Sequence, residues 1–254
     1  MPLSKNDIKY IKSLRLKKFR QKYDNFVVEG DKIVRELLQQ RPEWVESVYA
    51  LDEWVPTLSP VQTKIETVPR AQLSQASLLK TPNQAIAIVR QQRADWKKWP
   101  LSEQLSIYLE DLQDPGNLGT ILRIADWFGI PNVLCSPQSV DLYNPKVIQA
   151  SMGAFLRVHY AEATLSEIQE LHPGLPVFAT VMEGENVFQA ELPANGLLAI
   201  GNEGSGLSDD ALQRADRKIS VPPARGAGAE SLNAAIATGI ICAVLKNKAG
   251  GQLS

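Results

Sequence analysis

Cysteine and histidine are scarce in this sequence, and no apolar run is long enough to cross a membrane. The 254 residues include two cysteines, Cys135 and Cys242, and two histidines, His159 and His172, with no paired metal-ligand spacing. A disulfide framework or a structural metal centre is therefore not expected. A transmembrane helix needs ~20 consecutive apolar residues, and the basic, polar N-terminal segment lacks a secretory core. These absences predict a cytoplasmic protein with neither a membrane partner nor a bound metal.

The charges are balanced in number but not in distribution. The 27 basic and 28 acidic residues give a formal net charge of -1, yet residues 1–22 carry eight basic residues and a single acid, Asp7. Basic segments on a neutral chain are typical of proteins that bind nucleic-acid phosphates. A solvated amphipathic helix would carry the same charges, so charge alone leaves both interpretations open. The candidate RNA-binding residues in this segment are Lys12, Arg15, Lys17, Lys18 and Arg20.

The N-terminal part predicts a small α/β domain. Apolar residues at helical spacing among the lysines, Ile8, Ile11, Leu14 and Leu16, predict one amphipathic helix that ends near residue 22. Hydrophobic periodicity predicts the further elements, which are strands at 26–28, 45–51, 65–68 and 85–89 and helices at 31–40 and 70–79. Residues 91–102 combine charges, two tryptophans and Pro100, a composition that predicts an interdomain linker.

The C-terminal part alternates strands and helices, which predicts a parallel sheet with crossover helices. The expected strands lie at 105–109, 133–135, 155–160, 177–181, 197–200 and 219–221. Local signals predict the helix starts: Asn117 as an N-cap, Asn144 followed by Pro145, and Ser208 followed by two acids. A final Ala- and Ile-rich helix is expected to end near Lys246.

Two loops rich in glycine and small residues follow the last two expected strands. Residues 201–208 read GNEGSGLS and residues 222–233 read PPARGAGAESLN. Glycine directly after a strand indicates close backbone approach to a ligand or to another segment. The polar side chains in these loops that suit a binding site are Glu203, Ser231 and Asn233. A site with this chemistry favours a cation or a neutral polar ligand over a polyphosphate.

Neither loop matches a common phosphate-binding motif. A Walker loop requires Lys and then Ser or Thr after its last glycine, but Gly206 is followed by Leu207. A dinucleotide-binding fingerprint that begins at Gly226 would need a third glycine at the position of Ser231. Nucleotide hydrolysis and dinucleotide binding are therefore not supported.

Together with residues 109–123, which read LEDLQDPGNLGTILR, the two loops resemble the three motifs of the SpoU (TrmH-like) branch of the SPOUT RNA methyltransferases. Their order and spacing match as well, and three motifs in series are far more specific than a single glycine pattern. The resemblance implies an α/β protein whose C-terminal parallel-sheet SPOUT domain, residues 103–254, contains a trefoil knot. It also implies a preceding small α/β L30e-like domain, residues 1–95, that binds the RNA substrate.

The resemblance further implies an enzyme that transfers a methyl group from S-adenosylmethionine to a ribose 2'-hydroxyl in structured RNA, with ribosomal RNA favoured over transfer RNA. It implies a homodimer, because the family builds its site across a dimer interface. The alternative is a catalytically inactive RNA-binding protein of the same fold. Intact motif residues favour the enzyme over this alternative.

The motif match assigns candidate roles residue by residue. The candidate catalytic residues are Arg123, Asn117, Glu203, Ser231 and Asn233. The candidate cofactor-binding residues are Thr180, Val181, Met182, Gly201, Val221 and Leu232. In the family the arginine is the proposed general base, but a guanidinium stays protonated in proteins and is a poor base. Orienting an RNA phosphate and stabilising the developing alkoxide is the alternative role for Arg123.

Overall fold

A computed structural model of the chain describes residues 3–55 and 63–248. The strands are β1 (Asn25–Glu29), β2 (Val45–Ala50), β3 (Ile65–Thr67), β4 (Ala85–Arg90), β5 (Leu105–Leu109), β6 (Asn132–Cys135), β7 (His159–Glu162), β8 (Val177–Asn186), β9 (Gly196–Ile200) and β10 (Arg217–Ser220). The helices are α1 (Lys5–Ser13), α2 (Lys17–Tyr23), α3 (Asp31–Gln40), α4 (Arg70–Ala76), α5 (Pro115–Trp127), α6 (Pro145–Ser151), α7 (Leu165–Leu171), α8 (Asp209–Arg214) and α9 (Ala234–Lys248). Among the described residues, none of the helices is long and apolar enough to span a membrane.

The chain divides into two compact units. The first takes the described residues up to Arg93 together with Asp141–Leu156, and the second takes Ala94–Val140 and the described residues from Arg157 onward. The first unit is built on a mixed sheet with the strand order β1-β4-β2-β3, in which β4 is antiparallel to both of its neighbours and β3 is parallel to β2. Both glycine-rich loops, residues 201–208 and 222–233, lie in the second unit.

The basic N-terminal segment forms two helices, α1 and α2, where the apolar pattern predicted one. The chain bends between them because the buried Arg20 directs its Nη1 at the main-chain oxygens of Leu14 and Arg15, both at 2.8 Å. These carbonyl groups are thereby satisfied at the end of α1. The predicted apolar face is wrong at Leu16, which lies at the bend and is 49% exposed, whereas Leu14 is fully buried.

The second unit is an open sheet whose six described strands all pair in parallel, in the order β10-β8-β9-β5-β6-β7. The predicted parallel sheet is confirmed. Every residue of β5 and β9 is buried, as expected for central strands covered on both faces. In an open parallel sheet, ligands bind beyond the carboxyl ends of the strands. Both glycine-rich loops leave the sheet at that edge, after Ile200 and after Ser220.

One strand is interrupted at this edge. β8 pairs with β10 through Phe178 and Ala179, and the pairing then resumes at Glu185, so that residues 180–184 loop out of the ladder. Gly184 allows this detour, because a Cβ there would lie 2.8 Å from the Val181 side chain and 2.9 Å from a main-chain oxygen. The looped segment faces the space between the two glycine-rich loops.

One strand predicted in the C-terminal part is wrong. The apolar run at 155–160 does not form one strand: residues Ala154–Leu156 form a 3-10 turn and the strand begins at His159. The boundary between the two units falls between Arg93 and Ala94, within the predicted linker at 91–102. The later part of this segment packs into the second unit, because Trp96 is 9% exposed and Leu101 is fully buried in its apolar cluster. Two short 3-10 turns place these side chains inward.

Residues 141–156 belong to the first unit, although they lie within the expected methyltransferase domain. Asp141 pairs with Arg20, and Gln149 donates to the main-chain oxygen of Glu29. The rings of Tyr143 and Phe155 pack on Phe26, with centroids 4.5 Å and 6.0 Å away. This segment carries α6, whose start at Pro145 with Asn144 as N-cap is confirmed.

Candidate active site

The two glycine-rich loops and the looped-out part of β8 enclose a cavity of about 750 Å³. This size falls within the ordinary range for small-molecule sites. All six candidate cofactor-binding residues line it, as do three of the five candidate catalytic residues, Glu203, Ser231 and Asn233. Glu203 is the single charged residue among the described residues that line the cavity.

The first loop folds back tightly on itself. Asn202 and Gly206 exchange two main-chain hydrogen bonds, each 3.0 Å long. The Asn202 side chain accepts from the main-chain N–H groups of Gly204 and Ser205 and donates to the oxygen of Asp111. Gly201 must be glycine here, because a Cβ would lie 2.1 Å from the carbonyl carbon of Gly206. Gly201, which lines the cavity, therefore packs directly against the main chain of Gly206 and Leu207.

A chain of hydrogen bonds connects three candidate catalytic residues at the mouth of the cavity. Asn117 donates from Nδ2 to Glu203 Oε1 at 2.9 Å and accepts at Oδ1 from Asn233 Nδ2, also at 2.9 Å. Asn233 in turn accepts from the N–H groups of Ala235 and Ile236, which caps α9. Asn117 is 8% exposed and does not line the cavity. It therefore joins the first turn of α5 to both glycine-rich loops.

The Glu203 carboxylate is held at the N-terminus of α5. It accepts from the main-chain N–H groups of Gln113 at 3.3 Å and Asp114 at 3.1 Å, in addition to Asn117. Partial burial raises the pKa of Glu203, but hydrogen bonds from Asn117 and from main-chain groups outweigh that effect and leave it below its ordinary value. An anion at this end of a helix also interacts favourably with the helix dipole. Glu203 is consequently ionised at neutral pH.

The helix start predicted at Asn117 needs a correction. α5 begins at Pro115, and its N-cap is Asp114, whose carboxylate accepts from the N–H of Asn117 at 2.8 Å. Aspartate followed by proline is a strong helix-start signal, and it precedes Asn117 by three residues. The amide of Asn117 is therefore free to bond Glu203 and Asn233.

Arg123 lies apart from this cavity within the chain. Six residues separate it from Asn117, which places it roughly 9 Å further along α5 and on another face. Its side chain is exposed, lines a shallow depression of about 270 Å³ with Thr120, Ile124, Trp127 and Phe128, and has no hydrogen-bond or ion-pair partner within residues 3–55 and 63–248. The structure thus brings ten of the eleven candidate catalytic and cofactor-binding residues to one region and leaves Arg123 outside it.

Comparison with known protein families decides the family of this chain. Residues 104–243 match the SpoU rRNA Methylase family, and residues 5–87 match the MRM3-like substrate binding domain. The chain belongs to the SpoU methylase family. A relative from Bacillus subtilis, the 23S rRNA (guanosine(2553)-2'-O)-methyltransferase RlmP, is 30% identical over 241 residues, which cover 92% of this chain and 93% of that protein.

Solved structures of SpoU/TrmH proteins share this fold over the whole chain. A protein from Porphyromonas gingivalis that is assigned to the TrmH family of RNA methyltransferases superposes with a TM-score of 0.86 at 33% identity, covering 98% of this chain and 100% of that one. An AdoMet-bound rRNA methyltransferase from Sinorhizobium meliloti has a TM-score of 0.86 at 24% identity over 100% of this chain and 98% of that chain, which supports the fold alone. The expected α/β fold class is confirmed. Strand order does not define how loops thread, so the knot stays a prediction from the resemblance.

The sequence did not single out two residues that organise this SpoU site. Asn202 shapes the first loop, and a local signal existed, because an asparagine side chain readily accepts from the main-chain N–H two residues later, here that of Gly204. Glu110 accepts from both the N–H and the hydroxyl of Ser208, at 2.7 Å and 2.9 Å, and so fixes the start of α8. Nothing local to Glu110 predicts that bond, since 98 residues separate the partners.

The candidate RNA-binding set also needs a correction. Lys12, Arg15, Lys17 and Lys18 are exposed, whereas Arg20 is 2% exposed. The Arg20 guanidinium donates to two main-chain oxygens and forms an ion pair with Asp141 at 2.8 Å. Its charge is neutralised inside the first unit, so Arg20 is not available to RNA. No group of three or more His, Cys, Asp or Glu side chains in the described part of the chain is placed to hold a metal ion.

Proposed function

We propose that this protein transfers a methyl group from S-adenosylmethionine to a ribose 2'-hydroxyl of structured RNA, with ribosomal RNA favoured over transfer RNA. The observation that carries the proposal is the cavity between the two glycine-rich loops, whose one charged lining residue among those described is the acid Glu203. Such a cavity favours a ligand with positive charge and disfavours one with phosphates. Membership of the SpoU family and the full-length B. subtilis relative, which carries the name of a 23S rRNA 2'-O-methyltransferase, support the same activity.

The lining of the cavity fits S-adenosylmethionine. Gly201, Val221 and Leu232 line it, and backbone N–H and C=O groups at such positions can recognise adenine and ribose without charged side chains. When bound there, the cofactor supplies a methyl group activated by a sulfonium.

Glu203 and Asn117 act as positioning residues in this proposal. The Glu203 oxygens are directed at three protein donors, and Asn117 uses its amide to join Glu203 to Asn233. This relay, the chain of hydrogen bonds from Glu203 through Asn117 to Asn233, therefore fixes the beginning of α9 next to the cavity. Ser231, two residues before Asn233, lines the cavity and makes no hydrogen bond to the described residues, so its hydroxyl is free to bind the ribose or the cofactor.

Arg123 does not line the cavity of its own chain, which favours a homodimer in which it serves the cavity of a second chain. Three large apolar side chains on or next to α5 and α9 are exposed: Trp127 at 82%, Ile236 at 56% and Leu232 at 45%. The two helices pack together, with Gly239 facing Ile124. Exposed apolar clusters of this kind mark interaction sites. We infer that Arg123 of one chain serves the cavity of its partner.

In that arrangement Arg123 would position an RNA phosphate and stabilise the oxygen that attacks the methyl carbon, while the carbon–sulfur bond breaks and the electron pair stays on sulfur. The hydroxyl proton leaves to a base or to water as the new carbon–oxygen bond forms. Because arginine remains protonated in proteins, charge stabilisation is the favoured role. Since ribosomal RNA is a cytoplasmic substrate in bacteria, we also propose a cytoplasmic location.

The alternative is a catalytically inactive RNA-binding protein of the same fold. An inactive protein would have no requirement to keep both the hydrogen bonds among Glu203, Asn117 and Asn233 and an exposed Arg123 that has no partner among the described residues. These two observations favour the enzyme. The alternative would be supported by RNA binding without any methyl transfer.

The test combines cofactor binding with single-turnover methyl transfer. S-adenosylmethionine should raise the Tm in a concentration-dependent manner, because it binds the native state. Arg123→Ala should keep this shift, yet slow methyl transfer by roughly 10²-fold to 10⁴-fold. Arg123→Lys should recover part of the rate if charge is what matters. Wild-type transfer by Arg123→Ala would refute the role of this residue, and the lack of a Tm shift at millimolar cofactor would refute the cofactor.

A mixing experiment tests the dimer. Asn233→Asp keeps the acceptor that caps α9 but loses the donor to Asn117, so this variant and Arg123→Ala should each be inactive. If each site combines one chain's cavity with the partner's Arg123, mixed dimers contain one intact site and regain activity. If each chain's site is complete by itself, the mixture stays inactive and the proposed arrangement is wrong.

A further inference from the structure

The described surface of α1 and α2 combines basic side chains with aromatic rings. Without the buried Arg20, the exposed basic residues here are Lys5, Lys9, Lys12, Arg15, Lys17, Lys18 and Lys22. Phe19 and Tyr23 lie four residues apart on α2, with ring planes 13° apart and centroids separated by 6.2 Å. Tyr23 is 40% exposed. Lysine side chains suit RNA phosphates, whereas the two nearly parallel aromatic rings beside them suit a different part of a ligand.

Neighbouring side chains hold the Tyr23 ring in place. Tyr10 packs against it at 84° with the centroids 5.0 Å apart, and the Tyr10 hydroxyl accepts from Asn25 Nδ2 at 2.7 Å. The same Asn25 nitrogen donates to Glu46 at 2.6 Å. A ring that is already ordered loses little conformational freedom when a ligand stacks on it.

The helix that carries the rings is fixed at both ends. Arg20 ties its first turn to the preceding bend and to Asp141. At its C-terminus Asp24 adopts a left-handed conformation with φ 55°. Gln91 there donates through its main-chain N–H to the oxygen of Asp24 and through its side chain to that of Arg20. The rings therefore form a rigid surface instead of a flexible arm.

Cations already lie over both rings. Lys18 Nζ is 5.1 Å from the Phe19 centroid, and Lys22 Nζ is 5.2 Å from the Tyr23 centroid. An exposed cation–π contact is weaker than the stacking of a nucleobase on an aromatic ring. A base can therefore displace the flexible ammonium groups, which then become free to bind the phosphates on either side of that base.

We propose that Phe19 and Tyr23, flanked by Lys18 and Lys22, form a subsite that stacks an unpaired base of the RNA substrate. The inference rests on the proposed function, since it takes RNA to be the substrate, and the match of residues 5–87 to a substrate binding domain is consistent with it. A continuous duplex offers phosphates but no accessible base faces, whereas loops and bulges offer both. The subsite thus selects RNA that contains unpaired nucleotides.

The test measures RNA binding by the full-length protein without cofactor, so its outcome is independent of methyl transfer. The probes are an RNA hairpin with a 2-aminopurine in its unpaired loop and a blunt RNA duplex of the same length. Tyr23→Leu should weaken hairpin binding by about 5-fold to 150-fold, the scale of one stacked base, and leave duplex binding within about twofold of wild type. The protein should also quench 2-aminopurine emission, and Tyr23→Leu should relieve that quenching.

Three further variants separate stacking from charge and from misfolding. Tyr23→Phe keeps the ring and should bind like wild type. Phe188→Leu removes an aromatic side chain that is 52% exposed outside the basic segment, and it should bind both probes like wild type. Lys18→Gln should reduce the dependence of binding on salt, a property that Tyr23→Leu should leave unchanged. Equal losses for hairpin and duplex in Tyr23→Leu, or hairpin binding within about twofold of wild type, would overturn the proposal. An inactive enzyme that still shows the stacking pattern would refute the proposed function alone.

Discussion

Substitution of Gly201 by alanine tests whether the tight first loop builds the cavity. The new methyl group would lie 2.1 Å from the carbonyl carbon of Gly206 and 2.2 Å from the nitrogen of Leu207. Both are main-chain atoms, which cannot rotate away, so the two hydrogen bonds between Asn202 and Gly206 must break. Each contributes about 0.5–1.5 kcal/mol, and the overpacking adds about 1–3 kcal/mol. We therefore expect a loss of about 2–6 kcal/mol in the free energy of unfolding.

The matched control is Gly204→Ala in the same loop. A methyl group there meets only the Asn202 Oδ1 atom, at an ordinary 3.5 Å. Differential scanning calorimetry with and without S-adenosylmethionine should show a Tm at least about 4 °C lower for Gly201→Ala and no increase with ligand, whereas Gly204→Ala should stay close to wild type. If Gly201→Ala keeps both the wild-type Tm and the ligand-dependent shift, the loop does not form the cavity wall as described.

Three other substitutions give separate tests. Arg20→Ala leaves the carboxylate of Asp141 unpaired and should lower the free energy of unfolding in urea by about 3–5 kcal/mol, whereas Lys18→Ala should change it by at most about 0.5 kcal/mol; similar values for both would contradict the buried role. Asn117→Ala removes the shared amide of the relay and should cost about 1–3 kcal/mol in the same measurement, with slower methyl transfer; a fully active and stable variant would show that the relay is dispensable. Burial raises the pKa of Glu29, although hydrogen bonds oppose the shift. The protonated Glu29 therefore contributes stability that is fully present below its unfolded-state pKa of about 4.3. This contribution declines as the pH rises through the folded-state pKa. Glu29→Gln should therefore gain stability relative to wild type between low and neutral pH, and an unchanged difference across this range would contradict the assignment.

Local signals predicted those parts of the fold that local chemistry determines. The helix starts at Pro145 and after Ser208 follow from a capping side chain and its immediate neighbours, and the parallel sheet follows from alternating strand and helix patterns. The start at Asn117 was wrong because Asp114 offers a better cap three residues earlier. The proline that follows Asp114 was the local signal that ranked these two cap residues.

The site could be predicted in its residues but not in its connections. The motif resemblance named Glu203, Asn117 and Asn233, yet the bonds that join them cross 86 and 116 residues. The hydrophobic periodicity of a helix or a strand covers only neighbouring residues, so it cannot predict partners that lie so far apart in sequence. For the same reason the sequence predicts Arg20 as an exposed cation, because its partner Asp141 lies 121 residues away. Burial of a charged side chain depends on a partner that only the fold supplies.

The assignment of residues 141–156 to the first unit has a consequence for the order in which the chain can fold during synthesis. Domains ordinarily fold one after another as they leave the ribosome. The first unit cannot do so from residues 1–95 alone, because Phe26 and Arg20 find their packing and charge partners in a segment that is made later. By the time Leu156 is translated, β5 and β6 of the second unit have already been made. A gene fragment cut at residue 95 therefore encodes an incomplete protein, and the native pairing of Arg20 is delayed until translation is more than halfway through.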